Sequence, residues 1–375
     1  MTADGKPFGF VNAEEVTAFR TALASSLLVS RRKKVKTLTV FGVGKQAYWH
    51  VRLTLLLHGH TIKKVHFINR DFSERARVTM KRFIQFDGEI KAKEGWESTQ
   101  FDMMTQGYYE HTRISKDQIR AADVIFCTTP STTPLFDESI LTNTEGRKKG
   151  RLIVAIGSYK RNMIEIPQEV IQQAVKRHGS GHHFHKHAEE GGVVVVDTLA
   201  CLTETGELAG LQPNQSVELG ELVMIEDMET HSNDDSSAID EEDASTTTTT
   251  SSLSNLSLNH PDSFSRGTSM AAAMREDSFT SSNTQNSTQN TSPSRRSSRS
   301  SFSFKRNRTG SSSSLKKPVI KNEKEKEKEH QMCRWLASGN VIYKSVGMGL
   351  MDVVVGGDLV RLARERGIGV NIKDF

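Results

Sequence analysis

From Gly42 to Ala47 the chain reads Gly-Val-Gly-Lys-Gln-Ala, a GxGxxA spacing that points to anion binding by backbone groups. Gly42 permits a tight turn, Gly44 lets the backbone approach a pyrophosphate, and Ala47 lets a helix pack closely on a sheet. A helix starting here offers its free N–H groups to phosphates, with Lys45 and Gln46 on the same turn. A second chemical signal follows at Asn69-Arg70. An enzyme that uses NAD usually places Asp or Glu there to grip the ribose hydroxyls. An acid would repel a 2′-phosphate, whereas Asn69 can donate to it and Arg70 can pair with it through a charged fork. The expected cofactor is therefore NADP, with NADPH preferred over NADH. The plainer alternatives are a glycine turn without a ligand and an Arg70 that only solvates a loop.

These residues need strands and helices to hold them. Lys36–Phe41 is a short apolar run ending at the glycines, and Lys64–Ile68, Asp123–Thr128, Arg151–Ile156, Val193–Val196 and Asn340–Lys344 are similar. Between them Glu14–Val29, His50–Leu57, Ser73–Phe86 and Met348–Glu365 carry helical spacing, with Gly367 placed to stop the last. Short Val/Ile-rich strands alternating with helices predict an α/β fold, a Rossmann-type doubly wound parallel sheet with helices on both faces.

Composition bounds the rest. The chain has 375 residues, 50 Lys+Arg against 45 Asp+Glu, a net charge of +5 and 35% hydrophobic residues. The apolar share falls below the roughly 45–50% of an ordinary globular chain, a count that includes Gly. The deficit concentrates between about Glu226 and Gln331. There an acidic run leads into a Ser/Thr tract, a basic stretch and the alternating Lys321–Glu329, a composition too polar to bury a core. Disorder is expected there, with Lys321–Trp335 able to form a helix. The mild charge, much of it in runs, gives no argument for nucleic acid, and no segment approaches the roughly 18 apolar residues of a membrane span. Met1–Gly9 lacks a secretory signal pattern. Cys127, Cys201 and Cys333 lie far apart, which argues against a disulfide scaffold or structural zinc. A reduced, cytoplasmic, soluble protein is expected.

Six motifs occur in order: Thr17–Ala22, Gly42–Ala47, Ile68–Arg70, Cys127–Pro130, Ala155–Ser158 with Glu165, and Tyr343–Gly347 with Asp352. Together they resemble the ornithine cyclodeaminase/mu-crystallin family, and most of all its fungal members linked to proline utilisation. The resemblance covers about residues 7–225 and 333–375. It implies a Rossmann domain at 34–225, a remnant of an N-terminal substrate and dimerisation domain at 1–33, a disordered insertion at 226–332, and a C-terminal strand and helix at 333–375 returning to the second domain. It implies cyclic-imine or ketimine reduction, ornithine cyclodeamination or amino-acid dehydrogenation, acting on a small cyclic imine or amino acid. A homodimer is implied if the N-terminal domain is present. By position, Arg20 would hold a substrate carboxylate and Thr21 would touch the cofactor phosphates. Gly42, Gly44, Lys45 and Gln46 would follow the pyrophosphate, with Asn69 and Arg70 at the adenosine ribose. Thr128 and Thr129 would edge the cofactor, and Lys344 with Ser345 would lie near the nicotinamide.

Two departures matter. Cyclodeaminases of the family carry a catalytic Asp where this chain has Tyr159. A phenol with a pKa near 10 cannot serve as that carboxylate base near neutral pH, which counts against cyclodeamination and leaves hydride transfer open. The chain also begins close to the Thr17–Ala22 motif, so most of the N-terminal domain is expected to be absent, and a non-catalytic NADPH-binding regulator is the alternative. Other residues have plainer readings. His178, His182, His183, His185 and His187 could bind a metal but read as a solvated loop. Cys127 reads as a packing thiol. Glu165 reads as an acid/base group or a cap on the following helix. Arg295–Ser298 reads as a phosphorylation site or an inert spacer.

Overall fold

Runs of four to six residues rich in Val, Ile and Phe suit strands, because branched and aromatic side chains fill a pleated surface buried on both faces. The computed structural model describes residues 9–176, 191–222 and 332–370. Its strands are β1 (Thr37–Phe41), β2 (Lys64–Asn69), β3 (Gln100–Thr105), β4 (Val124–Cys127), β5 (Leu152–Ala155), β6 (Gly192–Val196), β7 (Ser216–Glu218) and β8 (Asn340–Lys344). They form one sheet in the order β3-β2-β1-β4-β5-β8-β6-β7, and every pair is parallel. The fold is the α/β Rossmann-type sheet that the alternation of elements implied. All six expected strands form. The unforeseen β3 and β7 are the two edge strands. Half-solvated edges carry too few apolar residues to stand out in a sequence.

One placement corrects the expectation. The strand at 340–344 does not return to a second domain. As β8 it lies between β5 and β6, with Val341, Tyr343 and Lys344 fully buried. Only the helix after it leaves the sheet.

The helices used below are α1 (Ala13–Ser30), α2 (Lys45–His58), α3 (Glu74–Ile84), α4 (Gly88–Glu94), α5 (His111–Ala121), α6 (Ser139–Thr142), α7 (Gln168–Val175), α8 (Cys201–Glu204) and α9 (Gly349–Glu365). Asn12 caps α1 by accepting from the Glu14 N–H at 3.1 Å. Gly367, at φ +63, follows the end of α9. Helix α1 packs along α2 and touches α9. At the α1–α2 seam Ser25 Oγ meets His50 Nε2 at 2.9 Å, and burial lowers the His50 pKa to about 4, so its ring stays neutral. Residues 332–338 are helical, so the end of the segment expected to form a helix does so. The remainder of that segment, the Ser/Thr tract, the Arg295–Ser298 motif and the five-histidine cluster lie outside the described residues. Among the described residues no helix is long and apolar enough to cross a membrane.

One buried ion pair ties the start of this scaffold together. Arg52 on α2 donates to both oxygens of Glu94 at 2.8 and 2.7 Å, and the Trp96 indole donates to the same carboxylate at 2.6 Å. Both charged side chains are about 5% exposed or less. Glu94→Ala strands the guanidinium in the interior and should cost about 3–5 kcal/mol of folding free energy. Denaturant melts of the two proteins would check this; a loss below about 1 kcal/mol, the value of a surface pair, would contradict it.

Candidate dinucleotide and substrate site

The strand order reverses direction between β1 and β4. In open parallel sheets ligands bind in the crevice at the carboxyl ends of the strands, at such a point. Gly42 stands there at φ +103, and a Cβ on it would fall 2.8 Å from Thr128 Oγ1 and 2.9 Å from Thr129 Cγ2. The turn can pass β4 this closely only as glycine. Gly44 is the N-cap of α2 and makes no side-chain cap hydrogen bond, and a Cβ on it would meet nothing within 4 Å. Two buried oxygens border the same crevice without a hydrogen-bond partner, Gln46 Oε1 and Thr129 Oγ1. Free helix N–H groups, open space over Gly44 and unpartnered polar atoms fit a phosphate-bearing nucleotide. Thr128 faces inward instead, its hydroxyl donating to the Phe41 carbonyl at 2.7 Å.

Lys45 is engaged by acids of α1. It pairs with Glu14 at 2.9 Å and more closely with Glu15, which also accepts from the Trp49 indole at 2.9 Å. Partial burial opposes its charge, but the Glu15 and Glu14 bonds outweigh that and raise its pKa. At the end of β2, Asn69 donates to the Asp71 carbonyl at 2.7 Å. Arg70 is 85% exposed, with only a 3.7 Å approach to the Asp71 carboxylate.

Three expected contact residues point elsewhere. The Thr21 hydroxyl donates to the Thr17 carbonyl at 2.8 Å within α1, and the residue is buried. A threonine in a helix readily bonds back one turn, so its hydroxyl proton is already engaged within α1. Lys344 is buried in an ion pair with Glu207 at 2.6 Å and also donates to Ser158 Oγ. The Ser345 hydroxyl donates to Asp197 at 2.7 Å. Successive residues of β8 point to opposite faces of the sheet. Lys344 therefore joins one polar cluster, while Tyr343 and Ser345 join another.

The first cluster underlies the ends of β4 and β5. Glu165 is fully buried and accepts from the N–H groups of Thr129 and Gly157, each at 2.8 Å, and of Ser158 at 3.1 Å. Glu207 takes the N–H groups of Glu165 and Ile166 at 3.0 and 3.2 Å, besides Lys344 and Ser158. The cap of α7 is Pro167, so the capping reading of Glu165 is wrong: its carboxylate turns inward and ties two loops instead. Burial pushes Glu165 up to about 7; Lys344 opposes this, Glu207 reinforces it, and the backbone donors oppose it. Cys127, at the end of β4, is fully buried, and burial with the neighbouring Glu165 and Glu207 keeps it a thiol, consistent with packing.

The second cluster centres on Asp197, at the end of β6. It accepts from Ser345 Oγ, the N–H groups of Val346 and Gly347, and the Tyr343 hydroxyl. Beyond it, Arg20 on α1 pairs through Nε with Asp352 on α9 at 2.9 Å. Sequence reasoning missed Asp197 and Glu207. A signal existed for Asp197, an acid directly after a Val-rich strand and so at the ligand end of a parallel sheet. Glu207 carried none. Tyr159 is half exposed beyond β5, with the Lys160 ammonium 5.5 Å from its ring centre.

Sheet order and glycine turn together define an α/β protein of Rossmann type whose crevice fits a dinucleotide. No protein-family model matches the chain. It is 28% identical over 206 residues to a Δ1-pyrroline-2-carboxylate reductase of Bacillus thuringiensis, covering 54% of this chain and 50% of that protein. It is 28% identical over 247 residues to an uncharacterised protein of Saccharomyces cerevisiae, covering 58% and 60%. The chain thus spans about half the length of the curated reductases it matches. Among solved structures, the Thermococcus litoralis Δ1-pyrroline-2-carboxylate reductase with NADH and L-proline superposes with a TM-score of 0.52 at 12% identity, over 99% of this chain and 72% of that one. A probable ornithine cyclodeaminase of Bordetella pertussis gives 0.50 at 18%, over 99% and 73%. The chain is thus similar in sequence to Δ1-pyrroline-2-carboxylate reductases and in fold to a probable ornithine cyclodeaminase, in line with the resemblance its six motifs carry.

The Glu165 environment has a consequence for pH. Its folded pKa is raised from 4.5 to about 7, so the folded state binds more protons than the unfolded state between those values. Its contribution to stability is fully present below about pH 4.5 and is lost as pH rises through about 7, a change on the order of 3 kcal/mol. Glu165→Gln should remove this part of the pH dependence. Urea melts of both proteins from pH 4.5 to 8 test it; parallel stability curves would refute the assignment.

Proposed function

We propose that this protein is a nicotinamide-dependent oxidoreductase that reduces the C=N bond of a cyclic imine carboxylate, such as a pyrroline- or piperideine-carboxylate, in proline- or ornithine-type metabolism. The observation carrying the reading is the sequence similarity to Δ1-pyrroline-2-carboxylate reductases, joined to an open glycine turn at the order reversal of the sheet. When bound, the cofactor supplies the hydride. The chain supplies orientation. Gly42, Gly44, Lys45 and Gln46 hold the phosphates, Thr129 closes on the cofactor edge, and Asn69 with Arg70 receives the adenosine ribose. Arg20 fixes the substrate carboxylate, which places the imine carbon for transfer. Thr128, Lys344 and Ser345 act from behind, by fixing the loops that line the crevice. Tyr159 in place of a carboxylate supports reduction over cyclodeamination.

If the N-terminal domain is present, a homodimer would suit the apolar face of α9, on which Leu350 and Val353 are each 67% exposed among the described residues. Consumption of NADPH with members of a panel of cyclic imines and oxo acids is the expected result for the purified chain. NADPH binding, read as quenched Trp fluorescence, without turnover of any panel member would leave the regulatory reading instead.

NADPH is the preferred cofactor because the end of β2 carries Asn69 and Arg70 rather than an acid, and Arg70 is free to swing, being 85% exposed. A guanidinium–phosphate contact is worth about 1.5–3 kcal/mol. Arg70→Ala should therefore weaken NADPH binding roughly ten- to a hundred-fold and leave NADH binding nearly unchanged. Fluorescence titration with both nucleotides decides it: equal weakening of the two would defeat the NADPH preference while sparing the glycine-turn assignment.

A further inference from the structure

Arg20 depends on a turn that it does not itself form. Its guanidinium lies over Gly347, where an added Cβ would fall 2.0 Å from Nη1 and 2.7 Å from Nη2. Gly347 also has φ +90, in the left-handed region that favours glycine. A single carboxylate holds the turn in this shape. Asp197, 4% exposed, accepts from the Gly347 N–H at 2.7 Å, the Val346 N–H at 3.0 Å and Ser345 Oγ at 2.7 Å, all on Oδ2. Its Oδ1 takes the Tyr343 hydroxyl. Burial, with Asp197 beside it, holds the Tyr343 phenol well above its ordinary pKa, so it remains a donor.

From the other side, Asp352 takes Arg20 Nε at 2.9 Å and Met351 Sδ lies 3.8 Å from Nη1. Nη2 has no hydrogen-bond partner among the described residues. The guanidinium is thus pinned at Nε and supported from below, and its Nη1–Nη2 edge remains for a planar anion. A carboxylate fits that edge with two parallel hydrogen bonds.

We propose that Asp197 is the positioning residue of the substrate-carboxylate site: by fixing the turn at 345–347 it keeps Gly347 beneath Arg20, and so makes the protein select imines that bear a carboxylate over those that lack one. The inference rests on Arg20 holding the substrate carboxylate. Asp197 accepts hydrogen bonds throughout and takes part in no bond-making step.

Asp197→Asn keeps the size but removes the charge that gathers three donors on one oxygen. The full chain is assayed with Δ1-pyrroline-2-carboxylate and with Δ1-pyrroline, which lacks the acid. Pyrrole-2-carboxylate, a planar acid that is not reduced, is titrated calorimetrically in the presence of NADP⁺. The variant should raise KM for the acid and Kd for pyrrole-2-carboxylate about ten-fold or more, the loss expected when charge-assisted bonds are misaligned. KM for Δ1-pyrroline and the affinity for NADP⁺ should stay unchanged. Tyr343→Phe removes one of the four donors and should move the same two constants by a smaller factor, so a poorly folding Asp197 variant does not end the test.

Equal rises for both imines, or no rise in either variant, overturn the inference. Failure of the wild-type chain to bind pyrrole-2-carboxylate overturns it as well, whether or not any imine is turned over. Arg20→Ala separates the two readings. If it leaves acid affinity unchanged, the role of Arg20 falls and the inference with it. If Arg20→Ala weakens acid affinity and Asp197→Asn does not, only the inference falls.

Discussion

A lysine, a serine and two glutamates share one dry space behind the ligand ends of β4, β5 and β8. Lys344 and Glu207 are 1% exposed or less and 2.6 Å apart. Removing two charges from water is costly, and the further hydrogen bonds of the pair help to offset that cost. Glu207 takes two backbone N–H groups, Ser158 bridges the pair to Glu165, and Glu165 in turn gathers N–H groups from both neighbouring loops. The loops after β4 and β5, which bear Thr129 and Tyr159, are therefore held by buried polar bonds as well as by the apolar packing of Phe136 and Ile166. Deleting any one member would leave another buried without its counterpart.

That constraint accounts for the C-terminal strand. Lys344 reaches Glu207 and Ser158 only if β8 is inserted between β5 and β6, so the end of the chain completes the centre of the sheet. The opposite face of the same strand sends Tyr343 and Ser345 to Asp197. One strand thus anchors two polar clusters by the alternation of its side chains, one behind the ends of β4 and β5 and one under Arg20. The helix that follows, α9, then meets α1 through the Arg20–Asp352 pair.

Helix α1 joins the two halves of the site. Its first turn offers Glu14 and Glu15 to Lys45 of the glycine turn, and its second carries Arg20.

The sheet, its parallel sense and the glycine turn were legible in the sequence because each follows from local rules: apolar runs of strand length, glycines at the one turn that needs them, and helical spacing between. Cys127 as a packing thiol was legible for the same reason, lying inside such a run. The edge strands β3 and β7 were not, since a half-solvated strand has no strong apolar pattern. The roles of Thr21, Lys344, Ser345 and Glu165 could not be read from position alone, because whether a polar side chain faces a ligand or the interior depends on what the fold brings opposite it. Glu207 lies 137 residues before Lys344 in the chain, and no spacing rule links them. Residue types and local periodicity determined which elements form and where the glycine turn falls. The tertiary structure alone decided which charges are buried together, because desolvation and pairing act through space and take no account of distance along the chain.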